Sequence, residues 1–284
     1  MGTGGGPGGA GGAASGGTST GGASGAASGG VGAASSGGAG GAAGAGAASS
    51  GGASGTGAGG TGGVACNPGA GDCDGDVSNG CETHLLATLA HCGACGHECV
   101  APVGGVATCG AGRCGGTITF GAADLEDTYI SDDGSEKSQN FGASTKILVD
   151  GDPVYRTLLQ VPELVTRLPP GVVIQSATLQ LQCFDTGAAV QVFRVLAPWS
   201  ESSVAWDTQP ARDAVQAAYF TASVGMRQVD LTALVQLWVD GTPNYGVILL
   251  ADGGLLSGGG SDYRSSEYSD AAARPSLVVT FVEP

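Results

Sequence analysis

The first 63 residues contain no charged side chain and no aromatic one; 30 of them are glycine, and most of the others are Ala, Ser and Thr. Nothing in such a segment can be buried to offset the ~1–2 kcal/mol of backbone entropy that folding costs per residue. A packed domain is excluded there. A disordered Gly/Ala/Ser-rich linker is expected over 1–63, with an r.m.s. reach of roughly 40–50 Å by Gly-rich chain statistics.

Long apolar runs are also missing. No stretch approaches the ~20 residues a transmembrane helix needs, so no membrane span is expected within this chain. The start lacks a charged n-region followed by an apolar h-region, and Gly6 stands where an N-myristoylation motif wants Ser or Thr. Either an export or anchoring signal lies upstream of residue 1 or the protein stays inside, and the cysteine pattern described below favours the first.

Basic residues are few: 10 Lys and Arg stand against 25 Asp and Glu, a formal charge of −15. Residues 64–116 hold five acids and the single base Arg113, and residues 117–284 hold twenty acids and nine bases. Without a basic stripe, nucleic acid is not an expected partner. The acidic surface also disfavours long-range attraction to polyanions.

Histidine is absent from residues 117–284, since His84, His91 and His97 all lie earlier. That removes a Ser-His-Asp arrangement and most histidine–metal chemistry from the larger part of the chain. No motif selects a carboxylate pair from its acids. The expectation is a non-catalytic protein, with no catalytic residue and no cofactor beyond a candidate calcium ion.

Cysteine is concentrated. Eight of the nine residues (Cys66, Cys73, Cys81, Cys92, Cys95, Cys99, Cys109 and Cys114) fall within 64–116, and Cys183 stands alone. About fifty residues with few large apolar side chains cannot hold a fold by burial alone. Four disulfides, each worth typically about 2–4 kcal/mol, would supply the constraint. The sequence leaves the connectivity open among about 105 pairings. Zinc is the rival reading, because Cys92 and Cys95 form a CxxC flanked by His91 and His97. A second tight pair, which a zinc ribbon needs, is lacking.

Within that segment, Asp72, Asp74 and Asp76 match positions one, three and five of an EF-type calcium loop. Val77 replaces the turn glycine at six, and Thr83 replaces the bidentate Glu at twelve, with Glu82 one residue early. Asp, Gly and Asn equally suit tight turns between disulfides. The turn is the first reading, and a low-affinity extracellular calcium site on the three aspartates is the second. Leu85, Leu86 and Leu89 share one helical face, which predicts a short helix over 82–89. The stretch CDGDVSNGCETHLLATLAHCGACGHEC resembles a Cys-rich segment of large exported bacterial surface proteins. That resemblance implies an extracytoplasmic setting and no known catalysis.

From residue 117 onward, period-2 patterning dominates. Ala177, Leu179, Leu181 and Cys183 fall on one face of a strand, which makes Cys183 a buried small hydrophobe. Further strands are expected over 146–149, 157–161, 190–196, 246–250 and 277–282, separated by Pro and Gly clusters. One helix is expected after Asp230 as N-cap, with Leu231, Leu234, Val235 and Trp238 at helical spacing and Gly241 as the stop. The pattern reads as all-β: an antiparallel β-sandwich of jelly-roll type with one short helix. Three parts are thus expected: 1–63 linker, 64–116 disulfide-rich module, 117–284 β-sandwich domain.

The same region carries Asp127-Thr128-Tyr129-Ile130, Asn140-Phe141-Gly142, Trp199-Ser200-Glu201 with Ser203-Val204-Ala205-Trp206, Asp230-Leu231-Thr232, Asn244-Tyr245-Gly246, Ser266-Glu267 and Arg274-Pro275. In that order they resemble the DNRLRE domain, also classed as carbohydrate-binding module family 96, over about 120–283. The resemblance implies a β-sandwich binding module, often attached to polysaccharide lyases or surface proteins, with alginate a ligand for some members. Where family members usually carry Arg-Phe-Asp, this chain has Gln160, Val161 and Pro162.

Sugar-binding surfaces need exposed aromatic faces and a few planar polar partners. Trp199, Trp206 and Trp238 sit in patterns that suit core packing. Tyr263, Arg264 and Tyr268 lie in the polar stretch Gly258–Asp270, read as an exposed loop. With Lys137 and Lys146 they are the candidate carbohydrate contacts, against the alternative of ordinary surface residues. The functional expectation is a secreted or cell-surface protein whose β domain binds polysaccharide. The alternative is a structural or adhesive surface protein whose β domain contacts proteins.

Overall fold

Alternation of apolar and polar residues builds the longest strand of this chain and its last one. The structure, a computed structural model, describes residues 65–253 and 259–284. The linker expected over 1–63 lies outside the described residues. In chain order the elements are β1 (Ala70–Gly71), β2 (Thr83–His84), β3 (Gly105–Gly110), β4 (Arg113–Phe120), β5 (Glu126–Ser131), β6 (Lys146–Gly151), β7 (Val154–Gln160) and α1 (Leu164–Arg167). They continue as β8 (Val173–Asp185), β9 (Val190–Val195), β10 (Arg212–Phe220), β11 (Gly225–Asp230), α2 (Thr232–Val239), β12 (Val247–Ala251), β13 (Ser261–Arg264) and β14 (Ser276–Val282).

Apart from the small β1–β2 pair, the strands form one curled antiparallel sheet. Its path runs β10-β9-β12-β7-β6-β13-β8-β14-β4-β3, with β11 added to β8 and β5 to β7. The crossing between layers is β6: its last two residues pair with β7 and its first four with β13. Inward residues of both layers meet in a single core that includes Phe120, Leu159, Leu179, Leu181, Val192, Leu249, Leu277 and Phe281. Burying one such side chain stabilises the fold by about 1.5–3 kcal/mol.

A second cluster covers the outside of one layer. On β7, Leu159 faces the main core while Leu158 faces outward; on β12, Val247 and Leu249 face in while Ile248 faces out. The outward set, with Ile130, Phe193, Val195 and Val204, is covered by Trp199 and Trp206. Trp199 Nε1 donates to the Tyr245 carbonyl at 2.9 Å, and the Arg156 guanidinium lies 4.3 Å from the Trp206 ring centre. Trp238, 4% exposed, packs α2 into the main core. All three tryptophans therefore serve packing.

The cysteine segment is stapled by Cys66–Cys81, Cys73–Cys95, Cys92–Cys109 and Cys99–Cys114. Every sulfur of the candidate zinc set is thus consumed, and the CxxC pair is split between two bridges. His91 Nδ1 accepts from Gly96 N at 2.9 Å, and His97 Nδ1 lies 2.6 Å from the Cys92 carbonyl. The helix expected over 82–89 does not form. Beyond the single turn closed by Thr88 N to His84 O, its backbone bonds to distant partners: Leu85 N to Gly69 O, Gly93 N to Leu85 O and Cys99 N to Leu89 O. Cross-links that fix those neighbours outweigh local propensity, leaving Leu86 and Leu89 49% and 44% exposed.

All described residues belong to one compact unit. β4 pairs with β3 on one edge and with β14 on the other, so this strand runs through the 116/117 boundary drawn on composition. Arg113 Nη2 donates to the Glu283 carbonyl and Glu283 N to the Cys114 carbonyl, which ties the stapled segment to the end of β14.

Candidate functional site

The alternation that turns Ala177, Leu179, Leu181 and Cys183 inward leaves Thr178, Gln180, Gln182 and Phe184 on the outer face of β8. Register extends this face over neighbouring strands. Ser276 pairs with Gln180 and Thr280 with Ser176 on β14, Thr280 with Thr117 on β4, and Gln228 with Gln180 on β11. Cross-strand hydrogen bonds order it, Thr117 Oγ1 to Thr280 Oγ1 at 3.1 Å and Ser276 Oγ to Gln180 Oε1 at 3.2 Å. The result is a field of amides and hydroxyls spread over several strands, groups that can each donate to or accept from a sugar hydroxyl.

An aromatic and cationic group borders the field at β13. Arg264 pairs in register with Lys146. Its guanidinium lies 3.8 Å from the Phe184 ring centre and 4.1 Å from that of Tyr268. Such a contact is worth about 0.5–1 kcal/mol at a surface and holds the ring in one orientation. The Tyr268 carbonyl in turn accepts from Arg274 Nε at 2.5 Å. Next to this group, Lys146 Nζ pairs with Asp262 at 3.2 Å while keeping 45% of its side chain exposed. A fixed, half-buried ring beside planar donors is the arrangement that stacks on a pyranose and hydrogen-bonds its rim.

Arg264, Tyr268 and Lys146 are therefore brought together. Tyr263 is a correction: it stands in β13, not in a loop, and is fully buried in the main core. It packs edge-on against Phe220 with ring centres 6.1 Å apart, and burial pushes its hydroxyl well above the ordinary tyrosine range. It cannot stack on a sugar. Lys137 belongs to another neighbourhood, where its carbonyl accepts from Asp207 N at 3.1 Å beside the Trp206 loop. Phe184 joins this group in the structure, and the same period-2 reading that buries Cys183 places it outward.

The calcium-loop aspartates act as turn formers. Asp72 Oδ1 accepts from Gly75 N at 2.8 Å, Asp74 Oδ1 from Asp76 N at 2.9 Å and Asp76 Oδ1 from Ser78 N at 2.9 Å. The Asp76 backbone bond and then the Asn79 side chain hold the Asp74 carboxyl below the usual range. Asp72 and Asp74 gather with Glu82 within 4.8 Å, and Asp76 is not in that group.

Interior space offers no ligand chamber at α2: the apolar cavity under Trp238, Leu231 and Leu164 is about 20 Å³, room for about one water. No helix among the described residues is long and apolar enough to cross a membrane. No curated protein matches the chain. Residues 119–281 match the family model of carbohydrate-binding module family 96, and that span contains strands of both layers, from β5 to β13, and the Arg264–Tyr268 group. The chain belongs to carbohydrate-binding module family 96.

Proposed function

We propose that the protein is a non-catalytic, extracellular polysaccharide-binding protein, and that Arg264, Tyr268 and Phe184 form the gripping end of its binding face. The observation that carries this reading is the Tyr268 ring held against the Arg264 guanidinium at 4.1 Å, beside the amide and hydroxyl field of β8, β11 and β14. The field extends over β4, β14, β8 and β11, which suits a chain of sugars laid across strands rather than a single residue in a pocket. Four disulfides support an oxidising compartment.

The ligand class follows from charge. Arg264 is the cation of the gripping end, and Lys146 beside it is paired with Asp262. Gln180, Gln182, Gln228, Ser276 and Thr280 are neutral, and the excess of eleven acids (20 − 9) in residues 117–284 opposes a polyanion. A neutral polysaccharide is the preferred ligand, and alginate is disfavoured. Affinity electrophoresis of the full chain through gels containing neutral or acidic polysaccharides tests this. Retardation by a neutral polysaccharide at physiological salt supports the reading, and a blank panel refutes it.

A second reading rests on β10, which ends the sheet path and exposes Val215 (73%) and Tyr219 (50%). An open edge with apolar side chains suits strand addition by another protein. Binding that survives loss of Tyr268 but not Val215→Lys would favour it.

A further inference from the structure

Three carboxylates converge at the start of β5. Asp127 is the second residue of that strand, Glu201 follows β9 in the loop that carries both outer tryptophans, and Glu267 lies in the turn after β13. One oxygen of each lies within 4.8 Å of one oxygen of the other two. Neighbouring donors satisfy part of the set. Asp127 N donates to Glu201 Oε1 at 2.8 Å, Ser266 N to Asp127 Oδ2 at 2.9 Å and Ser266 Oγ to Glu267 Oε1 at 2.9 Å.

The remainder is unmatched. Asp127 is 1% exposed, yet its Oδ1 has no hydrogen-bond partner, and the buried Oε2 of Glu267 has none either. The ion pairs among the described residues are Lys146–Asp262, Arg167–Asp124 and Arg194–Asp213, and none reaches this group. Burial, followed by the charges of Glu267 and Glu201 and opposed by the Ser266 hydrogen bond, pushes the Asp127 carboxyl up to about 7. Glu201 is raised as well, by burial first.

A buried carboxylate without a counter-charge costs several kcal/mol. One shared proton can answer for one charge of three; a divalent cation answers for two and also supplies the missing partner of Asp127 Oδ1. Three carboxylates without a nitrogen or sulfur donor suit a hard ion. Calcium–oxygen distances of about 2.3–2.6 Å place ligand oxygens up to about 4.6–5.2 Å apart, a span that includes the observed limit. A shallow cleft lined by Asn140, Gly142, Ala143 and Ser202 opens onto Glu201 and Glu267. Asn140 Nδ2 fixes its wall through the Glu201 and Val204 carbonyls at 2.7 and 2.8 Å. Gly142 is required there, because a Cβ would stand 2.5 Å from the Glu201 carbonyl oxygen.

We propose that Asp127, Glu201 and Glu267 form a divalent-cation site, with calcium the ion of suitable size. The bound ion would join three segments far apart in the chain, and it is independent of the Asp72–Asp74–Glu82 loop. The test is calcium titration of the full chain after EDTA treatment, read by equilibrium dialysis and by melting temperature, with magnesium in parallel. The expected result is calcium binding at micromolar to millimolar concentration and a rise in melting temperature of several degrees. Both should be lost in Asp127→Asn and in Glu267→Gln and kept in Asp72→Asn/Asp74→Asn. Asp127→Asn removes a buried charge without changing shape, so it is expected to fold in EDTA, with circular dichroism as the check. No calcium bound to the parent at 5 mM, or a calcium response unchanged in both Asp127→Asn and Glu267→Gln, overturns the proposal.

Discussion

Cys183 and Tyr263 are register partners across β8 and β13, and both are fully buried. Their chain neighbours Phe184 and Arg264 consequently meet on the opposite face, 3.8 Å from ring centre to guanidinium. The core thus positions the candidate binding group: one inward pair fixes one outward pair.

The thiol inventory follows from this burial. Nine cysteines minus eight in bridges leave Cys183, whose thiol contacts the Asp185 carbonyl at 3.1 Å and is pushed up by burial. A thiol reagent should find none in native protein, one after denaturation without reductant, and nine with reductant. Eight reactive thiols in unreduced, unfolded material would contradict the pairing.

A start at residue 117 should cost stability. β4 begins at Arg113, and its Gly115 and Gly116 pair with Val282 and Phe281 of β14. A fragment 117–284 loses that edge together with β3, exposing the Phe281 side of the core. Its urea midpoint is expected well below that of the full chain, and equal midpoints would show that the stapled segment adds nothing to the sandwich.

Much of the fold was legible because β8 and β14 alternate over five or more residues, while β9 and β12 are short runs rich in branched apolar side chains. β13 was not legible: Ser261-Asp262-Tyr263-Arg264 has one large apolar residue in four, and its neighbours are polar. Its burial comes from pairing with β6 and β8, which are distant in sequence. The helix expected at 82–89 failed for a related reason, since disulfide-fixed neighbours captured its backbone groups. Of the proposed binding group, Arg264, Tyr268 and Lys146 were picked out in the sequence by residue type, while Phe184 required reading the outward half of an alternation. The convergence of Asp127, Glu201 and Glu267 is a tertiary fact that no spacing encodes.

Gly246 tests a motif position. Its φ of +74° lies in the left-handed region, its N–H binds Asn244 Oδ1 at 3.0 Å, and a Cβ would stand 2.0 Å from the Leu159 carbonyl oxygen. Gly246→Ala should destabilise by roughly 2 kcal/mol or more, because strain and a backbone clash add. Denaturant melts measure this, and a loss below about 0.5 kcal/mol would disprove the close approach.

Asp230 gives a pH dependence. Its Oδ1 accepts from Thr232 N at 2.9 Å and from Thr232 Oγ1 at 2.5 Å, and these bonds lower its carboxyl below 3.8. Its stabilisation is therefore complete above that value and is lost as pH falls through the lower folded value. Asp230→Ala should cost about 1 kcal/mol at neutral pH. Thermal melts of parent and variant should converge as pH drops below about 4, and a gap that widens in acid would reverse the sign.

The binding face itself is tested most directly by isothermal titration of a polysaccharide that retards the parent, comparing the full chain with Tyr268→Ala. The ring is half-buried at the surface, so the variant should melt within a few degrees of the parent. Its affinity should fall about tenfold or more, ~1.4 kcal/mol. An affinity equal to the parent's, in a folded variant, would contradict the placement of the sugar at Arg264 and Tyr268.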